Sequence, residues 1–555
     1  MICKSALSRG GQVALRRQGA AKLAQRGFAA VASPKASYEP TTIGGVKVAS
    51  RDDNGPTTRL AVVAKAGTRY EPLPGLTVGL EEFAFKAANF ASRRQNTTKR
   101  SALRITREAE LLGGQLTSYH TREAFVLQAS FLRDDLPYFT ELLGEVLSQT
   151  RYTTHEYHEE VVNVIHEKQA RLDAAAIALD AAHAVAFHTG LGAPLYPTAN
   201  TPISSYLNES SVASFAAAAF TKANIAVVAD GASDAGLTKW IDPFFRHVPA
   251  ESQSALSATP SKYYGGEQRI ATAGSNSVVI AFPGAALGAS QPETAVLVGL
   301  LGGESTIKWS PGFSLLSKAV ASAPGASSKA TNFAYSDAGL LTIQVSGSAS
   351  AVRKAAEESV KALKSIVDGG VSQENLVKAI AKAKFNLLSG SEVSGVGIVH
   401  AGANLIHGGK PLQVAETLKA LEGVTGDKLK AAAKTLLEGK ASVAAVGDLH
   451  VLPFAEELGL KRKILPSHHL NHSQTAAKMT FAWKAAGITY NRYLAVAARV
   501  VRRSLKDEKR LVAERRGLQE LRFAKWEGGK QGELKNLADA NAQAAVESAA
   551  TGGTA

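Results

Sequence analysis

Between about residue 40 and residue 460 the chain alternates two hydrophobic periods. Compact apolar runs at Leu60-Ala61-Val62-Val63-Ala64 and Phe125-Val126-Leu127 predict strands, and Asn224 to Asp230 predicts another, closed by Asp230-Gly231. Apolar residues at helical spacing predict helices over Ser101 to Leu112, Asp134 to Thr150 and Glu156 to Ala175. Strands followed by clustered helices predict an α+β fold, with helices on one face of a mixed, largely antiparallel sheet. The Ser-, Ala-, Pro- and Gly-rich stretch from Ala250 to Gly266 reads as a linker.

The pattern repeats. Ser118-Tyr119 through Arg122-Glu123-Ala124-Phe125-Val126-Leu127-Gln128 reads like Asn332-Phe333 through Ser336-Asp337-Ala338-Gly339-Leu340-Leu341-Thr342, at an offset of about 214. Farther on, Lys222 to Asp230 (KANIAVVAD) matches Lys440 to Asp448 (KASVAAVGD) at an offset of about 218. Two matches in one register, about a hundred residues apart, predict two homologous halves, 39–249 and 267–460.

At 555 residues the chain exceeds one ordinary core, and 45% hydrophobic with 20% charged residues excludes collagen and wholesale disorder. No apolar run reaches the roughly 18 residues of a membrane-spanning helix. The net charge of +15 would suggest nucleic-acid binding, but about +7 of it falls in residues 1–38 and about +6 from residue 479 onward. The nearly neutral middle offers no basic groove, so no nucleic-acid partner is expected. The first block contains no Asp or Glu, and Lys4, Arg9, Arg16, Arg17, Lys22, Arg26 and Lys35 recur among Ala, Ser, Leu and Val. Residues 1–38 therefore read as a mitochondrial transit peptide, with Arg26-Gly27-Phe28-Ala29 resembling a processing site. Its removal would take Cys3, the single cysteine, leaving no thiol for zinc, disulfide or nucleophilic chemistry.

The residues then carry a family resemblance. Ala66-Gly67-Thr68-Arg69-Tyr70-Glu71, Gly75 to Lys86, Arg100-Ser101, Gly113 to Glu123 (GGQLTSYHTRE) and Leu191-Gly192-Ala193-Pro194-Leu195 resemble the mitochondrial processing peptidase family over residues 40–460. The resemblance implies two α+β domains that clasp a partner subunit. Inverted zincins of this kind carry His-x-x-Glu-His on a helix, two imidazoles for zinc and a Glu for the water proton. Here Val78, Glu81 and Glu82 take those positions, so only the base survives. Valine has no lone pair, and Glu82 with a distant Glu159 or Glu160 is a poor zinc set. Glu81 and Glu82 are expected to be solvated first-turn helix acids, and no catalytic, cofactor or metal residue is expected. The alternative readings are a zinc-dependent presequence peptidase or its regulatory alpha subunit. The glycine-rich loop of that alpha subunit corresponds to Leu301 to Phe313, where Trp309 and Pro311 replace most of its flexibility. By elimination the chain is most similar to the core protein 2 family of ubiquinol-cytochrome c reductase, the respiratory complex III. That resemblance implies a non-catalytic scaffold on the matrix side of the mitochondrial inner membrane, peripheral to the bilayer, with core protein 1 and other complex III subunits as partners.

Two features lie outside that plan. His468, His469 and His472 have one-turn spacing, but Pro466, Ser467, Asn471, Ser473 and Gln474 mark 461–478 as a connector; His155, His158 and His166 read as surface residues. From Met479, Thr489 can cap a helix with Tyr490, Tyr493, Leu494, Ala497, Val500, Val501 and Leu505 on one face and Arg492, Arg499, Arg503 and Lys506 largely opposite. Such a helix suits an anionic membrane surface or a partner. Its WKAAGITYNRYL opening and Arg503-Ser504-Leu505-Lys506 make 479–533 resemble the mitochondrial ATP synthase epsilon subunit, which favours a partner in that enzyme's central stalk. Residues 534–555 read as a disordered tail.

Overall fold

The computed structural model describes residues 38–460 except 86–95, 199–200, 202, 204–205, 253–255, 257–258, 288–290, 304–312, 370, 393–395 and 408–412. Residues 1–37 with Cys3, most of the Leu301 to Phe313 loop, the histidine-bearing residues 461–478, the epsilon-like segment and residues 534–555 lie outside the described residues.

The first half contains β1 (Glu39–Ile43), β2 (Val46–Arg51), β3 (Thr57–Ala64), α1 (Leu76–Ala84), α2 (Ala102–Leu111), β4 (Gln115–His120), β5 (Phe125–Leu132), α3 (Leu136–Gln149), α4 (Val162–Ala170), α5 (Ala174–Phe187), α6 (Glu209–Ala219), β6 (Ile225–Asp230) and α7 (Asp234–Phe244). The second contains β7 (Gly266–Ala271), β8 (Asn276–Pro283), α8 (Pro292–Leu301), α9 (Leu315–Ala321), β9 (Ala326–Ala334), β10 (Gly339–Gly347), α10 (Ala349–Val367), α11 (Gln373–Glu392), α12 (Val396–His407), α13 (Val414–Glu422), α14 (Gly426–Glu438) and β11 (Ser442–Gly447).

The strands order as β1-β2-β6-β3-β5-β4 in one sheet and β7-β11-β8-β10-β9 in the other. Among the described residues, only β2 with β6 and β7 with β11 pair in parallel. The five-strand order recurs, with β1 as the first half's addition, so the repeat read from the sequence is a repeat of topology. It extends to the hairpin turns, where Thr121 N–H bonds Ala124 O at 2.7 Å and Tyr335 N–H bonds Ala338 O at 2.8 Å.

Alternation along the strands gives each sheet two apolar faces. In the first sheet Leu60, Val62, Phe125, Leu127, Ile225 and Val227 face α1, α2, α3, α6 and α7, through Leu80, Phe83, Ile105, Phe139, Val212 and Leu237. In the second, Val278, Ile280, Leu341, Ile343, Val443 and Ala445 face α8, α10 and α14. These are the helix-covered faces that the sequence predicts. The opposite faces are covered by exchange. Ala61, Val63, Val126, Ala226 and Val228 of the first sheet pack on Ile398, Ala401 and Leu405 of α12, and Val279, Ala281, Leu340, Ala444 and Val446 of the second pack on Ala174, Ala178, Ala181, Ala182 and Ala186 of α5.

The helix expected over Glu156 to Ala175 is broken. A π-helical turn occupies Tyr157–Val161, α4 ends at Ala170, and α5 starts afresh with the Asp173 carboxylate accepting from Ala176 N–H at 2.8 Å. The break lets α5 leave the first sheet for the second. By contrast Ser101 caps α2 as its position suggests, accepting from Arg104 N–H at 3.2 Å.

Candidate functional site

The segment that resembles the zinc helix is α1. It starts after Gly75, whose φ of 98° is easy only for glycine, and it buries Leu76, Val78, Leu80 and Phe83 in the first core. Val78 is fully buried there. At the place of the first metal ligand the chain therefore has a core methyl contact and no lone pair.

Glu81 and Glu82 lie in the second half of α1, not in its first turn, and they are not solvated acids. Lys168 of α4 brings one ammonium to both, with Nζ 2.8 Å from Glu81 Oε1 and 2.7 Å from Glu82 Oε1. The side chains of Glu81, Glu82 and Lys168 are 12%, 21% and 26% exposed. The sequence gives no local sign of this pairing, because the partners are 87 and 86 residues apart.

His120, at the end of β4, completes the cluster. Its Nε2 is 3.0 Å from Leu195 O and its Nδ1 meets Glu81 Oε2, so the ring spans a carbonyl and a carboxylate that both accept. Tyr196 closes the side, its ring 5.5 Å from Lys168 Nζ and edge-on to His120 at 5.3 Å between centroids. Burial pushes the Glu81 carboxyl up, but the bonds from His120 and Lys168 outweigh it and hold it below its ordinary range. Burial likewise lowers the Lys168 ammonium, and the two carboxylates more than restore it.

Zinc does not fit these residues. One motif position is an apolar core residue, the second glutamate is tied to a lysine, and an ammonium already occupies the space between the carboxylates. Of the distant acids, Glu159 is exposed, with His155 Nδ1 3.1 Å from its Oε1; His158 and His166 are exposed as well. The geometry can hold charge and fix elements. It cannot activate a water.

A second cluster joins the halves. Arg69, from the Ala66 to Glu71 motif, puts Nη1 2.6 Å from Glu123 Oε1 and Nη2 2.6 Å from Asp337 Oδ2. Glu123 and Asp337 are equivalent positions of the repeat, so one guanidinium serves the same acid from both halves. Arg69 also bonds Ser336 Oγ at 3.1 Å and Thr259 O at 3.1 Å, and Ser336 N–H bonds Glu123 Oε2 at 2.8 Å. Despite its burial, bonding to Arg69 holds the Asp337 carboxyl at about 2. Nearby, Arg122 bonds Asp180 of α5, and Tyr335 O–H donates to His183 Nε2 of the same helix at 2.8 Å. The sequence marked Arg69, His120, Arg122 and Glu123 as motif residues but gave them no role.

Comparisons with known proteins identify the family. Residues 47–199 match the family described as Insulinase (Peptidase family M16), and 206–383 match the Peptidase M16 inactive domain. Residues 481–529 match the Mitochondrial ATP synthase epsilon chain. Cytochrome b-c1 complex subunit 2, mitochondrial, of Neurospora crassa is 75% identical over 462 residues, 83% of this chain and all of that relative. The proteins of that name from Cryptococcus neoformans and Schizosaccharomyces pombe are 39% and 36% identical, each over 76% of this chain and 94% and 95% of their own lengths. With a relative of such identity covering more than four-fifths of the chain, the conclusion is direct: this chain belongs to the family of mitochondrial cytochrome b-c1 complex subunit 2, the core protein 2 branch of the M16 peptidases.

Proposed function

We propose that the chain is a non-catalytic scaffold subunit of the cytochrome b-c1 complex, seated on the matrix side of the mitochondrial inner membrane against core protein 1 and other subunits of complex III. Family membership supports the complex, and the observation that carries the non-catalytic reading is the α1 site, where Val78 and the Lys168-bridged pair Glu81 and Glu82 replace a water-activating centre. Peripheral attachment accords with the described residues, in which no helix is long and apolar enough to cross a membrane. Two assays test the reading together. The chain should co-purify stoichiometrically with complex III, and the purified chain should leave presequence peptides intact with or without added zinc. Cleavage that is lost on Glu81→Gln would restore the peptidase reading.

The epsilon-like segment serves a different machine. A connector of residues 461–478 spans roughly 60 Å at full extension, and a central-stalk subunit rotates while complex III does not. A continuous chain working in both would wind up within a few turns. The segment is therefore cut free in the connector, inactive as a rotor part, or a separate coding unit that starts at Met479, and we favour the last because Met479 coincides with the start of the second resemblance. Mass spectrometry of respiratory complexes should yield peptides from both sides of the connector and none crossing from Ile464 to Trp483. An abundant crossing peptide in complex III would make the tether real.

A further inference from the structure

The two halves differ at one sheet edge. In the first sheet β1 covers β2 as an antiparallel edge strand, whereas the equivalent strand β7 is the last of its sheet among the described residues. We infer that the open edge of β7 is a docking strand for an extended, acidic segment of a neighbouring subunit, which adds there antiparallel as β1 adds to β2. The inference deepens the scaffold reading and rests on it for the source of the partner.

Gly266 N–H bonds Ala441 O at 3.1 Å and Thr272 N–H bonds Gly447 O at 3.4 Å, which fixes the phase of the ladder between β7 and β11. In a parallel ladder alternate residues bond the neighbour, so Glu267, Arg269 and Ala271 turn their N–H and C=O groups to the open edge. No residue of β7 is buried, whereas Val46, Val48, Ala49 and Ser50 of β2 are. An uncovered row of backbone groups is a template for a further strand. The side chains of β7 are already satisfied, since Arg269 reaches Glu267 Oε1 at 3.3 Å, Leu449 O at 2.8 Å, Pro453 O at 2.9 Å and Leu452 O at 3.0 Å.

Specificity comes from the start of β7. A cleft opens there between the end of α5, at Ala184, Val185 and His188, and residues Gly265 to Gln268. His188 holds φ 62° and ψ −57°, with Thr189 N–H on Phe187 O at 2.7 Å, a strained turn that stacks its ring on exposed Tyr264 at 4.0 Å. Lys262 Nζ lies 5.5 Å from the Tyr264 ring, and Lys440 stands beside Gly265. Both lysines are exposed, and neither has an acidic partner among the described residues. Carried across the repeat, the pairing of Ile43 with Val46 sets the C-terminal end of the occupant opposite Glu267, next to these lysines. An Asp or Glu at that end completes the charge. Residues 461–478 of this chain contain no acid and open on Lys461, Arg462 and Lys463, the wrong charge for this place.

The test compares the full chain alone with the same chain in isolated complex III by residue-resolved amide hydrogen exchange. The amides of Glu267, Arg269 and Ala271 should exchange at least about tenfold more slowly in the complex, while Gln268 and Ile270, bonded to β11, should be slow in both. Zero-length carbodiimide coupling in the complex should join Lys262 or Lys440 to an Asp or Glu of another subunit. Ala271→Pro, which removes only an outward N–H, should leave the melt of the free chain unchanged and lower its retention in complex III. Couplings of these two lysines only within this chain, or between two copies of it, would overturn the inference. Equally fast exchange of the outward amides in a chain that does co-purify would sink the docking strand alone, whereas failure to co-purify would sink the scaffold reading with it.

Discussion

At the residue scale the molecule is governed by a few shared charges. Arg69 is the clearest, because deleting it strands the buried Glu123 and leaves the partly exposed Asp337 without its partner. Arg69→Met should destabilise the chain by roughly 3–5 kcal/mol in denaturant titrations, and adding Glu123→Gln with Asp337→Asn should recover much of the loss. Purely additive losses would show that the guanidinium acts through packing alone. Glu71 makes an opposite demand. Burial raises its carboxyl from 4.5 to about 7, against the Thr77 N–H that bonds Oε2 at 3.1 Å. The folded chain then holds a proton that the unfolded chain has released, so stability falls as pH rises from about 4.5 to about 7, by at most about 3 kcal/mol. Glu71→Gln should flatten stability across that window and exceed the unmodified chain above pH 7; an unchanged slope would place the titration elsewhere. Little of this was legible in the sequence. Val78 could be read as a lost ligand from the family resemblance, whereas the bond of Glu81 to Lys168 spans 87 positions and is fixed by where α4 ends.

At the element scale the sequence was far more telling. The strand signal at Leu60 to Ala64 matures into β3, the Asp134 to Thr150 signal into α3, and both repeat offsets land on equivalent strands. What the pattern hid was destination. The alanine-rich run through Ala174 looked like a continuation of the preceding helix, because small residues carry no directional signature and Asp173 reads as one more surface acid. Those small side chains let α5 lie close on the other sheet. The same economy operates at Gly402 of α12, where an added Cβ would come within 2.4 Å of Val63 Cγ2 and 3.3 Å of Val228 Cγ2. Gly402→Val should therefore destabilise by about 1–3 kcal/mol through overpacking. Val228→Asp should cost several kcal/mol by burying a charge in the same contact. Combined, the two should fall short of their sum, since each forces α12 away; full additivity would argue that the helix does not touch this face.

At the scale of the whole molecule the exchange of α5 and α12 means that neither half contains all of its own core. Residues 39–249 made alone should bind hydrophobic dyes and lack a cooperative melt, while the chain through 460 should unfold in one transition; two separate transitions would contradict the exchange. The same feature imposes an order in time. A chain entering a compartment from its N-terminus completes the first sheet at Asp230, well over a hundred positions before residues 396–407 arrive to cover Ala61, Val63, Val126, Ala226 and Val228. Until then that sheet is an open apolar surface, and the newly delivered α5 has no sheet to lie on. Maturation of the first half must wait for α12 of the second, so until that helix arrives the open sheet is a surface on which aggregation competes with folding.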